Sequence, residues 1–296
     1  MKPKFKHVAV LKGGISSERE VSLRSGAAVA NGLRQCGYTV EEIDITSADF
    51  ELVSAVEAVF ITLHGTFGED GQVQRILAKR GLPYTGADPE ASWLAFAKNL
   101  TKEILTREGI ATATYEILTD GRKRTLPLPV VVKPTRQGSS CGVHRIIRDD
   151  EWDAAFADAL SFNNEVLVEP YIAGRELTVG IVDAEVLPVI EIRAPEGNYD
   201  YYAKYTKGAT EYLVPAPLTR ETTRQCQQFG WETYCALKCR GMGRVDMRMA
   251  PDGRIYVLEL NTIPGFTETS LLPKAAKAAG HDFPELCGRI METAAL

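Results

Sequence analysis

The sequence predicts a multidomain chain, α/β at its N-terminal end and α+β beyond, and three observations predict it. Strand-like and helix-like runs alternate over residues 5–79, which argues for an open parallel sheet with sites at the C-terminal ends of its strands. Two strand-like runs near the C-terminus flank an Ala250-Pro251-Asp252-Gly253 turn, the pattern of a hairpin. The 296 residues are enough for two or three separate cores.

Taken in order, residues 5–12 form an apolar strand ending at Lys12-Gly13-Gly14. Glu20 to Cys36 is a helix stopped by Gly37, and Thr39 to Ile45 is the next strand. A third strand, Ala58 to Leu63, runs into His64-Gly65 and is followed by a helix from Gly71 to Lys79. The Gly13-Gly14 turn is not GxGxxG; it offers backbone amides that an anionic group can use. Pro83 to Pro89 reads as a linker, Ala91 to Glu108 as one helix and Thr112 to Leu118 as a strand. After a Pro-rich stretch, Pro129 to Val132 is a buried strand ending at Lys133-Pro134, and Arg136 to Gly142 is a Gly/Ser loop. Glu165 to Glu169 is a strand ending on a carboxylate, and Leu177 to Val182 continues that sheet. No internal repeat or low-complexity tract interrupts the chain.

In the hairpin, alternation puts Arg244, Asp246 and Arg248 on one face of the first strand, and Glu259 and Asn261 on one face of the second. Asp246, Glu259 and Asn261 are hard oxygen donors with no His or Cys beside them, a set that suits Mg2+ or Mn2+ and not zinc. A pair of solvated carboxylates on a curved sheet would read the same way. Lys133 at an apolar strand end beside Gly138-Ser139-Ser140 resembles an ammonium next to a phosphate-covering lid, although GxxxxGK[ST] is absent. Glu169-Pro170-Tyr171-Ile172 followed by Glu176 mixes apolar surface with carboxylates, as a nucleoside pocket requires. Tyr199 to Tyr205 is an aromatic loop that caps a site or forms an interface, with Lys204 within it.

Composition narrows the class. With 45% hydrophobic and 25% charged residues the chain is an ordinary soluble globular protein, and a net charge of -5 argues against nonspecific nucleic-acid binding. The basic knot Arg122-Lys123-Arg124 reads as a solvated loop. Six scattered cysteines (Cys36, Cys141, Cys226, Cys235, Cys239, Cys287) without a CxxC pair point to reduced thiols and a cytoplasmic protein, with Cys235 and Cys239 on one helix face. The apolar run Val8 to Leu11 is too short for a signal core, and no run reaches the ~20 residues of a membrane span, so no membrane partner is expected.

Gly13 to Ser22, Leu63-His64-Gly65 with Gly68-Glu69-Asp70-Gly71, Leu82 to Gly86, Lys133 to Gly142, Tyr199 to Tyr205, Gly243 to Asp246, Glu259 to Gly265 and Ser270 to Pro273 occur in that order. Together they resemble the ATP-grasp superfamily and, within it, the D-alanine:D-alanine ligases, over essentially the whole chain. The resemblance implies an N-terminal α/β substrate-binding domain at 1–97 followed by a two-part ATP-grasp fold, at 98–180 and 181–296. It implies ATP-dependent joining of two D-alanines for peptidoglycan, and a homodimer. Glu18 would hold the first D-alanine's ammonium with Ser139 and Tyr205, and His64 would lie beside it. Lys98, Lys133 and Lys204 would contact ATP phosphates, Glu169 and Glu176 the nucleoside, and Asp246, Glu259 and Asn261 two metal ions. Arg244 and the Gly265 backbone would stabilise the oxyanion, while Ser270 and Leu271 hold the second D-alanine. Pro170 stands where lysine is common, so the adenine contacts there are open to change; Ile263 and Phe266 also depart from the usual residues. Two rivals are a D-alanyl-D-lactate type depsipeptide ligase, against which Tyr205 argues, and an ATP-binding regulatory protein without turnover, against which the intact metal donors and Arg244 argue.

Overall fold

The computed structural model describes residues 3–120, 123–195, 208–267 and 269–296. Strand β1 (His7–Gly13) is buried between two partners, pairing in parallel with β2 (Thr39–Ile45) and β3 (Ala58–Ile61) to give the order β2-β1-β3. Parallel neighbours need a crossover, and α1 (Arg19–Gln35) supplies the one between β1 and β2, burying Val21, Val29, Ala30 and Leu33. Helix α2 (Gln72–Lys79) buries Val73 and Leu77 in the same core.

A second, antiparallel sheet has the order β4 (Glu116–Leu118), β7 (Val166–Pro170), β5 (Val130–Pro134), β6 (His144–Ile146), covered by α5 (Trp152–Phe162). The third sheet is also antiparallel: β11 (Glu211–Leu213), β10 (Ile190–Arg193), β8 (Arg175–Val182), β12 (Met242–Met249), β13 (Ile255–Asn261), with β9 (Glu185–Val186) against β8. Helix α6 (Arg220–Ala236) lies on one face of this sheet; any side chain at Gly230 would press on Val179 at 3.0 Å. Helices α7 (Leu271–Ala278) and α8 (Phe283–Glu292) close the chain.

Several sequence expectations change. The run 91–108 is two helices, α3 (Pro89–Phe96) and α4 (Lys98–Arg107), because Ala97 takes an extended conformation (ψ 96°) between them. The break frees Lys98 to open a new helix. Residues 83–89 are no loose linker: buried Tyr84 bridges both Val59 and Ala295, so this segment stitches the parallel sheet to the last residues of the chain. Of Thr112–Leu118 only the last three residues are strand, while Thr112 forms a bridge to Val257 in the third sheet. Strand β8 does not continue the sheet of β7 but pairs with β12. The Gly13-Gly14 turn offers no spare amide at Gly14, whose N–H donates to the Ile45 carbonyl at 2.8 Å. Cys235 ends up in α6 while Cys239 lies beyond its C-cap, and both are free thiols.

The cores show how the pieces are held. One apolar cluster joins the parallel sheet to α7, α8, to Val182, Ile190 and Ile192 of the third sheet and to Leu187 just after β9. Chain ends separated by more than two hundred residues therefore share one hydrophobic core, the main stabilising term in such a fold. A second cluster joins the third sheet to α6 and to Ile104 and Leu105 of α4. The β4–β7 sheet has its own smaller core with α5. Among the described residues no helix is long and apolar enough to cross a membrane.

Candidate active site

Strands β8, β12 and β13 build the base of the site by register alone. Asp246 faces Thr178 on one side and Glu259 on the other; Arg244 faces Gly180 and Asn261. The register slips between Asp246 and Met247, so β13 carries Leu258 as an extra residue. That bulge decides where the carboxylate points. Ile255 and Val257 are buried core residues, and strict alternation would send Glu259 and Asn261 the same way. The extra residue reverses the parity: Leu260 goes to the core, and Glu259 and Asn261 share the face of Asp246.

Asp246 accepts from Arg244 Nε at 2.8 Å, from Arg244 Nη2 at 2.7 Å and from the Thr178 hydroxyl at 2.6 Å. Glu259 faces Lys98 Nζ at 3.0 Å, and Asn261 Oδ1 accepts the Ile263 amide at 3.0 Å. Among the described residues no three His, Cys, Asp or Glu side chains gather into a metal-holding group. Two carboxylates and one amide remain, all hard oxygen donors, which fits a Mg2+-type ion that keeps waters and takes phosphate oxygens for the rest of its shell.

Two cavities meet over this base. Both are lined by Lys98, Gln137, Gly138, Ser139 and Glu259. Lys98 donates to the Gln137 carbonyl at 2.8 Å, which ties the start of α4 to the Gly/Ser loop. The larger cavity, about 280 Å³ against about 100 Å³, adds Lys133, Arg145, Glu169, Pro170, Tyr171, Ile172, Glu176, Asp246 and Arg248. Lys133 pairs with Glu169 Oε1 at 2.6 Å, and Glu176 with Arg248 Nη2 at 3.0 Å. Burial alone would raise the Glu169 carboxyl, but the ammoniums of Lys133 and Lys102 overturn that and hold it down at about 2. Burial likewise works against the Lys133 ammonium, yet Glu169 and Glu259 raise its pKa above the ordinary lysine range. Tyr171 lies under the Arg145 guanidinium, 3.9 Å from its ring centroid.

Pro170 costs the sheet nothing. Tyr171 N–H donates to the Pro129 carbonyl at 2.9 Å, and Pro170 stands opposite Val130. In an alternating antiparallel ladder the N–H at 170 would point away from β5, so no bond of that pairing is lost.

The smaller cavity adds Glu18, His64, Glu69, Arg244, Asn261, Gly265, Ser270 and Leu271. Glu18 precedes α1, is buried, and accepts from the Ser139 hydroxyl across 121 positions of sequence. Ser139 and Ser140 both have positive φ (50° and 59°), which turns the loop onto Glu18. Gly65 also has positive φ (69°), and any side chain there would meet Glu18 Oε2 at 2.8 Å, so glycine is required twice over. His64 is fixed by the Ile263 carbonyl at 3.2 Å on Nδ1 and by Ser25 Oγ at 3.3 Å on Nε2. Burial opposes its charged form, but Glu69 (Nδ1 to Oε1 3.8 Å) and Glu18 outweigh that and raise its pKa. Burial raises the Glu69 carboxyl, Glu18 adds to that, and His64 pulls the other way. At the far wall, Ser270 caps the start of α7 and its Oγ accepts the Thr267 amide at 2.9 Å. A side chain at Gly265 would meet that oxygen at 2.7 Å.

Comparison with known proteins decides what this geometry belongs to. Residues 100–292 match the family model "D-ala D-ala ligase C-terminus" and residues 47–87 the corresponding N-terminus. D-alanine–D-alanine ligase of Methylacidiphilum infernorum is 47% identical over 287 residues, covering 97% of this chain and 95% of its own. The enzyme of the same name from Syntrophotalea carbinolica is 47% identical over 296 residues, covering 98% and 97%. The chain belongs to the D-alanine–D-alanine ligase family. The fold agrees: the crystal structure of the Bacillus anthracis ligase complexed with ATP superposes with a TM-score of 0.86 at 35% identity, covering 98% of this chain and 97% of that one.

Among the residues expected from the sequence of this ligase-family member, the structure brings Glu18, His64, Ser139, Arg244, Asn261, Gly265, Ser270 and Leu271 to the smaller cavity. Lys133, Glu169, Glu176 and Asp246 line the larger one, and Lys98 and Glu259 line both. Lys204 and Tyr205, with the loop 199–205, lie outside the described residues, as does Arg122 of the basic knot. Sequence reasoning missed three participants: Glu69 behind His64, the Gln137 carbonyl, and buried Lys102, which reaches Glu169 Oε2 at 2.5 Å. Lys102 carried a legible signal, since it follows Lys98 by one helical turn.

Proposed function

We propose that the two cavities hold the two halves of one ligation, with ATP in the larger and two D-alanines in the smaller. As a D-alanine–D-alanine ligase family enzyme the chain joins two D-alanines at the expense of ATP. The observation that carries the division of labour is the shared wall of Lys98, Gln137 to Ser139 and Glu259, where a γ-phosphoryl from one side would meet a carboxylate from the other.

A carboxylate is a poor acyl donor because oxide is a poor leaving group. Phosphoryl transfer from ATP to the first D-alanine's carboxylate forms an acyl phosphate and releases ADP. The neutral amine of the second D-alanine then attacks that carbonyl, the tetrahedral adduct expels phosphate, and the amide remains. Glu18 with Ser139 binds the first ammonium, Lys98 and Lys133 bind phosphates, and Glu169 and Glu176 bind the nucleoside. Arg244 and the Gly265 amide face the developing oxyanion, and His64 flanks the first D-alanine. Ser270 and Leu271, at the start of α7, hold the second D-alanine's carboxylate. Lys204 and Tyr205 take the family's roles at the phosphates and the first D-alanine. Asp246, Glu259 and Asn261 would hold Mg2+ or Mn2+, two ions as in the family, supplying charge that offsets the phosphates.

The same reading divides the chain into an N-terminal substrate domain at 1–97, a central nucleotide-covering unit at 98–180, and a C-terminal unit at 181–296 that carries the metal donors. It also assigns a cytoplasmic homodimer, supplying the dipeptide for peptidoglycan. Sedimentation at micromolar concentration should give a mass near twice one 32.5 kDa chain; the mass of a single chain would reject the dimer.

The test of function is phosphate release from ATP and Mg2+ with D-alanine, L-alanine or D-lactate, supplied singly and in pairs. D-alanine alone should support full turnover. Turnover only when D-lactate accompanies D-alanine would move the assignment to the depsipeptide ligases, and none with any acceptor would favour a non-catalytic ATP-binding protein.

A further inference from the structure

Lys102 is completely buried, a rare state for lysine, and it touches neither cavity. Its ammonium pairs with Glu169 Oε2 at 2.5 Å, while Lys133 holds Oε1 at 2.6 Å, so each oxygen of Glu169 has its own cation. The same ammonium donates to the Thr112 hydroxyl at 2.7 Å and lies 3.4 Å from the Ala113 carbonyl. Thr112 in turn donates to the Val257 carbonyl of β13 at 2.7 Å. One side chain on α4 thus links β7 of the second sheet to β13 of the third, the two sheets between which the larger cavity lies.

We propose that Lys102 is a positioning residue for the nucleotide: it fixes Glu169, and through it Lys133, without contacting the ligand. This rests on assigning the larger cavity to ATP. A lone Lys133–Glu169 pair would leave Glu169 Oε2 buried without a partner, and a buried carboxylate then rotates or takes up a proton. Either change releases Lys133 from the orientation in which it meets the cavity. The effect is confined to the nucleotide side, because Glu18, His64, Gly265 and Ser270 line the other cavity.

The test is a cycle of Lys102→Met, Glu169→Gln and the double variant, with ADP and Mg2+ titrated by calorimetry, KM for D-alanine measured, and thermal unfolding followed. Lys102→Met should weaken ADP at least about tenfold while the D-alanine KM stays within about twofold, since a buried charge has lost its partner on one side only. In the Glu169→Gln background the same substitution should cost less than about threefold, because the two side chains act through each other. Unchanged ADP affinity in the folded single variant, an equal loss in both backgrounds, or a parallel loss at the D-alanine sites would overturn the proposal. Should Lys102→Met fail to fold, Thr112→Val removes the hydroxyl on which the ammonium rests. It should weaken ADP by roughly two- to fivefold with D-alanine unaffected, and no change would overturn the proposal. If Glu169→Gln itself leaves ADP affinity intact, it is the assignment of the larger cavity to ATP that fails.

Discussion

The two cavities are built from different material. Apart from Lys98, which opens α4, the charged side chains of the larger one sit within strands: Lys133 on β5, Arg145 on β6, Glu169 on β7, Glu176 on β8, Asp246 and Arg248 on β12, and Glu259 on β13. Of the side chains unique to the smaller one, Arg244 and Asn261 stay on β12 and β13, but Glu18 before α1, His64 and Glu69 after β3, and Ser270 before α7 sit in the turns that leave strands or enter helices. A strand sets its side chains by the ladder, whereas a turn depends on what it meets. In this chain the turns meet one another across sheets, as Ser139 meets Glu18 and His64 meets the Ile263 carbonyl. The larger cavity is therefore mostly preset, and the smaller one is mostly assembled.

The largest effect should come where the two meet. Glu259→Gln removes a charge from the strand-borne donor set that lines both cavities, and turnover should fall at least about a hundredfold with the fold intact, since such a charge is worth several kcal/mol at a phosphoryl-transfer site. Near-normal turnover with an unchanged Mg2+ requirement would remove Glu259 from the metal site. Next comes the assembled side. Glu18→Gln should raise KM for the first D-alanine by about tenfold or more, through loss of a charge-assisted contact to the ammonium, and leave ADP binding unaltered. If ADP affinity fell instead, the separation between the cavities would be wrong.

A smaller effect sharpens the preset side. Glu169 has a folded-state pKa of about 2 against an ordinary value of 4.5, so the stability it contributes is present above pH 4.5 and is lost as pH falls toward 2. The difference in unfolding free energy between the parent chain and Glu169→Gln should be constant above about pH 5 and shrink by on the order of 3 kcal/mol below it. A difference that does not change between pH 5 and 2.5 would mean that Glu169 is not held ionised by the lysines.

The same contrast explains what could be read in the sequence. Asp246 and Glu259 were legible as a facing pair because alternation and a Pro-Asp-Gly turn fix a hairpin. The bulge at Leu258 was not, since it depends on which face of β13 the core occupies. Lys133 and Glu169 were legible as charges at strand ends, but their pairing was not, because β5 and β7 are joined through β6 and α5. Tyr84 read as linker since its partners, Val59 and Ala295, lie far away in opposite directions along the chain. Glu18, Ser139 and Ser270 gave no constellation of their own; only the order of the surrounding segments, matched to a family, brought them together. Ile263 and Phe266, the unusual residues, proved to be buried packing, with Phe266 edge-on to Phe60 at 5.4 Å.

On the assignment proposed above, the shared wall is where a phosphoryl group passes from ATP to the carboxylate of D-alanine. D-alanine carrying 18O in both carboxylate oxygens tests it directly: one labelled oxygen should leave with each phosphate as the dipeptide forms, and mass spectrometry of the released phosphate reads it. Phosphate carrying one 18O per turnover is the expected result. Dipeptide formed with unlabelled phosphate would mean that the carboxylate is not the acceptor, and that the two cavities do not meet for the purpose assigned to them.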